Sequence, residues 1–122
     1  MSYKKVIEYR GLSEKIISSN RYIDNLKHMY DELKDVSFLK FIDDEEKLYN
    51  DYIYRKDILT FGFSKLLEKT DEPIIKHCII NYVFLGHTWE KVAESYGCSL
   101  AVDSIRIRFR RFMEKVDFSF DT

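Results

Sequence analysis

A chain of 122 residues has the size of one domain, and 45% hydrophobic with 34% charged side chains is a globular rather than a disordered composition. A net charge of −1 excludes a protein that coats nucleic acid with an overall basic surface. Four glycines and one proline leave too few turns for a β-sandwich or barrel, so the expected fold class is all-α.

Gly11-Leu12-Ser13-Glu14 reads as a break followed by a helix start, with Ser13 as cap and Glu14 at the positive end of the dipole. Ile16, Ile23 and Tyr30 then repeat every seven residues, with Leu26 and Leu33 three after two of them. This heptad seam, interrupted by Ser19, predicts a helix over about residues 13–36. The apolar stretch Ser37–Ile42 reads as a connector, and the acids Asp43, Asp44, Glu45 and Glu46 as a second helix start. Tyr49, Tyr52, Lys56, Leu59, Phe63 and Leu66 step by three and four, which predicts a helix over about residues 44–68 with Gly62 as its weak point. The two helices are expected to form an antiparallel hairpin over 1–69.

Thr70-Asp71-Glu72-Pro73 starts a third helix, because a hydroxyl, two acids and an early proline all suit a first turn. Its apolar face runs through Ile74, Ile75, Cys78, Ile79, Tyr82 and Val83 to a stop at Gly86. Thr88 then caps a short helix from Trp89 that ends at Gly97. Ser99 or Asp103 caps the next one, whose apolar stripe is Ile105, Phe109, Phe112 and Val116. A short helix, a glycine turn and a basic amphipathic helix make a helix-turn-helix over 70–122. Residues 103–116 carry Arg106, Arg108, Arg110, Arg111 and Lys115 against Asp103 and Glu114, a local net charge of +3.

The words LGHTWEKVAESYGCS and IRIRFRRFMEKV resemble region four of bacterial sigma factors, and more closely the small sigma-region-four-like regulators of phages and prophages, including late-gene activators. The likeness covers about residues 70–116 by motif and the remainder by layout. It implies a duplex-DNA-binding transcription regulator, with RNA polymerase as a further partner. The chain departs from the family where a branched apolar residue usually follows four after the capping serine. Asp103 stands there, so the recognition helix starts at either Ser99 or Asp103.

On the helical wheel Asp103, Ser104, Ile107, Arg110 and Arg111 lie opposite the apolar stripe, with Arg106 and Arg108 flanking it. Asp103, Ser104, Ile107, Arg106 and Arg111 are therefore the candidate base readers. Arg108, Arg110, Lys115 and Thr88 are the candidate phosphate contacts. A protein-interaction module on the same scaffold, an adaptor or inhibitor of RNA polymerase or another protein, is the alternative that the near-neutral net charge favours. A homodimer is expected from the long apolar seam.

No catalytic constellation is visible, so no enzyme and no cofactor are expected. Cys78 and Cys98 lie on apolar positions, and with His77 and His87 they match no zinc spacing. No apolar run reaches signal-peptide or membrane-spanning length, which makes the cytoplasm the expected location.

Overall fold

A computed structural model describes residues 3–97 and 101–116, and these are helical with no strand among them. Helix α1 is Tyr3–Leu33, α2 is Ser37–Lys69 and α3 is Pro73–Cys78. A π-helical segment, Ile79–Phe84, continues α3 and is followed by α4 (Trp89–Tyr96) and α5 (Val102–Lys115). No helix of the described residues is long and apolar enough to cross a membrane.

Helix α1 does not break at Gly11. It begins ten residues before Ser13 and passes through the glycine, whose side-chain position meets nothing within 4 Å. A lone glycine costs a helix only ~1 kcal/mol, and the apolar positions Val6, Tyr9 and Leu12 on its two sides already follow helical spacing. Lys34 ends the helix in the left-handed region at φ 56°, with its N–H donating to the Tyr30 carbonyl at 2.7 Å. Asp35 then starts α2: its Oδ1 accepts from the Ser37 N–H at 3.0 Å and from Ser37 Oγ at 2.9 Å. The backbone bond, and after it the hydroxyl bond, hold the Asp35 carboxyl below its ordinary pKa. The expected connector over 37–42 is thus the first two turns of α2, and a single Asx turn between Lys34 and Ser37 replaces it.

The chain divides into two compact units, Gly11–Asp57 and the pair of segments Met1–Arg10 and Ile58–Thr122. Within Gly11–Asp57 the buried positions are Leu12, Ser19, Ile23, Leu26 and Ile42. Lys15 lies 5.7 Å from the centre of the Tyr52 ring, and Lys27 is 4.0 Å from Glu46, so the contacts run in opposite chain order. Leu33, the last position of the predicted seam, is 59% exposed, and the seam ends a turn earlier.

The second unit holds the larger core. Phe63, Phe109, Leu59, Ile75, Ile79, Ile105 and Met113 are fully buried, each contributing roughly 1.5–3 kcal/mol by leaving water. Tyr9, Phe63 and Phe84 meet edge to face at 5.8–6.4 Å. Pro73 takes the first position of α3, where its missing N–H costs nothing. Thr70 does not cap that helix. Its buried Oγ1 donates to the Leu66 carbonyl at 2.8 Å and so closes α2.

The π-helical segment leaves the ladder irregular at its end: Leu85 N–H donates to Ile80 and His87 N–H to Asn81. Gly86, at φ +70°, provides the left-handed stop. Arg10, from the other end of the sequence, bonds two of the carbonyls there. Its Nη1 donates to the Tyr82 carbonyl at 2.6 Å and the His87 carbonyl at 3.1 Å, placing a cation at the negative end of the helix dipole.

Candidate nucleic-acid interface

Thr88 has the extended backbone of an N-cap, and its Oγ1 accepts from the Lys91 N–H at 3.3 Å. Glu90 adds an acid to the first turn of α4. The helix buries Val92 and Ala93 and ends where Gly97, at φ +76°, turns the chain left-handed. Helix α5 starts at Val102 with Ala101 at its N-cap and no side-chain cap bond. Asp103 is therefore a first-turn acid rather than a cap. Ser99 and Cys98 lie outside the described residues.

His77 fastens α4 to the preceding helix. Its Nε2 lies 2.9 Å from the Val92 carbonyl and 3.1 Å from Ser95 Oγ, while Asn81 Nδ2 lies 3.1 Å from Nδ1 and 3.0 Å from the His77 carbonyl. With Asn81 donating to Nδ1, the network assigns the ring proton to Nε2, which donates to Val92. The His77 ring also packs on Tyr96 at 5.1 Å. Trp89 is half-buried, stacked on Tyr82 at 3.8 Å and 16° and edge-on to Phe109 at 5.9 Å. Arg10 covers the Tyr82 ring at 3.9 Å, and Tyr3 meets Phe109 at 6.4 Å. Burial first, then the charge of Tyr82 and a hydrogen bond with it, push the Tyr3 hydroxyl pKa up.

Helix α5 packs on α3 and α4 through Ile105, Phe109 and Met113. The predicted stripe continued through Phe112 and Val116, but both are only half-buried. Rows at i, i+4, i+8 and at i, i+4, i+7 are equally helical, and packing against α3 and α4 buries the first. The rest of the helix is exposed, at Asp103, Ser104, Ile107, Arg110, Arg111 and Lys115, with Arg106 and Arg108 exposed on the two flanks of the buried row.

Two of these arginines are tied down at the surface: Arg106 to Asp103 at 3.1 Å and Arg108 to Glu72 at 3.2 Å. Both pairs are exposed, so each is worth little to stability and is readily exchanged for another anion. Arg110 lies over the Tyr3 ring at 5.2 Å. Arg110, Arg111 and Lys115 have no ion pair among the described residues. Open grooves run along the helix, one of ≈ 440 Å³ lined by Ser104, Ile107, Arg108 and Arg111, and one of ≈ 420 Å³ reaching Glu72 and Lys115.

The candidate residues of α5 are thus all solvent-exposed, with Thr88 exposed at the start of α4. The sequence reading missed Arg10, Tyr3, His77 and Asn81. Arg10 is 72 and 77 residues from its acceptors, and no local pattern signals such a pairing. The buried Cys78 thiol is pushed up to about 12 by burial, which makes it a packing residue. Among the described residues no cluster of three or more His, Cys, Asp or Glu side chains is placed to hold a metal.

Comparison with known proteins finds no matching family model, no similar curated protein and no similar solved structure.

Proposed function

We propose that the chain is a sequence-specific duplex-DNA-binding transcription regulator, similar to the small sigma-region-four-like regulators of phages and prophages and acting in the cytoplasm. In this reading α4, the turn at Gly97 and α5 form a helix-turn-helix with α5 as the recognition helix, and the long helices α1 and α2 form a hairpin. The observation that carries it is the surface of α5. Five cations are exposed on one amphipathic helix whose buried side is fully used in packing. None of the five is needed for the core, and a face of this kind suits a line of phosphates. The capped N-terminus of α4 suits one phosphate more.

The experiment is a titration of a fluorescent random-sequence duplex at two salt concentrations. Binding should weaken steeply with salt, and Arg108→Ala or Arg110→Ala should lower the slope of log affinity against log salt by about one. Salt-independent binding, or none at 50 mM salt, overturns the reading.

A second reading is favoured by a separate observation. Met29, Leu33, Val36, Leu39 and Phe41 are exposed apolar side chains around the junction of α1 and α2. They suit a protein partner: a second copy of the chain, or RNA polymerase with the chain as adaptor or inhibitor. Sedimentation at micromolar concentration, with and without duplex, separates the dimer from the monomer. Arginine variants that keep DNA affinity but lose polymerase would establish the adaptor.

A further inference from the structure

Ile107 is the apolar exception on the basic face of α5. It is 42% exposed and takes no part in the core stripe Ile105–Phe109–Met113. It is the sixth residue of the helix, with Ser104 one turn before it and Arg110 and Arg111 one turn after it on the same side. It lines the groove with Ser104, Arg108 and Arg111, the groove with Arg110, Arg111, Glu114 and Lys115, and the pocket with Arg106 and Trp89. A branched aliphatic side chain therefore stands among four guanidinium groups and Lys115, with Glu114 the one carboxylate on those linings and Asp103, paired with Arg106, a turn before it. An apolar knob so surrounded matches a surface that is anionic at its walls and apolar at one point of its floor. The major groove of duplex DNA is such a surface wherever it carries a thymine, whose C5-methyl is the one apolar group the base edges present there.

We propose that Ile107 reads the C5-methyl of a thymine in the major groove, with Arg110 holding a flanking phosphate. The inference rests on the DNA-binding reading above. The methyl and the isoleucine remove each other from water, while deoxyuridine at the same place keeps every hydrogen-bonding group and loses only the methyl.

The test first selects a preferred duplex from a random pool with the full-length protein, then replaces its thymines singly with deoxyuridine. One replacement should weaken binding about fourfold, the equivalent of ~0.8 kcal/mol for one buried methyl. Ile107→Ala should bind the thymine and deoxyuridine duplexes equally, and Ile107→Val should keep most of the preference. Both variants should fold, which a thermal melt checks, because the side chain is exposed. A preferred duplex without thymine in its recognised positions, no deoxyuridine effect, or an undiminished effect in Ile107→Ala overturns the inference and leaves DNA binding standing. Failure to bind any duplex overturns both.

Discussion

The two compact units handle their apolar residues in opposite ways. In the unit formed by Met1–Arg10 and Ile58–Thr122, side chains from α1, α2, α3, the π-helical segment, α4 and α5 converge, and Phe63, Phe109, Leu59 and Met113 lose all contact with water. In Gly11–Asp57 two helix segments supply the whole core. Few positions are buried there, while Ile17, Tyr22, Leu33, Val36, Phe41 and Tyr54 are exposed. Two helices can cover only one stripe of each other, whereas several can surround a residue on all sides. The larger unit thus encloses a core, while the smaller leaves more of its apolar side chains at the surface.

Truncation in the two cores tests this contrast most strongly. Phe109→Ala should cost about 3–5 kcal/mol in urea unfolding, because a fully enclosed site cannot collapse around the cavity. Ile23→Ala should cost nearer ~2 kcal/mol, since the two-helix layer can relax or admit water. Equal losses would break the comparison. Next in size is Arg10→Ala, expected to lose about 2 kcal/mol by stranding the Tyr82 and His87 carbonyls. Arg10→Lys should recover only part of it, because a point charge can neither reach both acceptors nor lie flat on the Tyr82 ring.

Smaller effects, of opposite sign, belong to the thinner unit. Gly11→Ala places a methyl in open space within a continuous helix and should stabilise by about 0.5–1 kcal/mol. Ser19→Ala should stabilise by a similar amount, about 1 kcal/mol, since its buried Oγ has no hydrogen-bond partner among the described residues. A fall in melting temperature for either would assign these residues a structural purpose that the packing does not show. The smallest effect is an absence: Cys78 should resist alkylation by iodoacetamide at pH 8 in the folded protein, as read by mass spectrometry of the peptide that contains it. Rapid labelling would mean that the larger core opens far more readily than its burial implies.

Much of this molecule is legible from residue order alone. The heptad spacing around Ile23 and Leu26, the proline at the first turn of α3, the left-handed glycines at 86 and 97 and the capping Thr88 all act through neighbours within one or two turns. Such signals are complete in the local sequence, so helix order and the exposed basic face of α5 could be read there. Helix ends fared worse: Gly11 did not stop α1, because packing on both sides of it outweighs one residue's propensity. Only the tertiary structure decided that Tyr3–Arg10 and Ile58–Lys69 share a core with the C-terminal helices, that Arg10 closes the π-helical segment, and that Met113 rather than Phe112 completes the stripe of α5. Each of these depends on groups far apart in the chain meeting at a fixed angle, and helical periodicity specifies the face of a helix without specifying what it will meet.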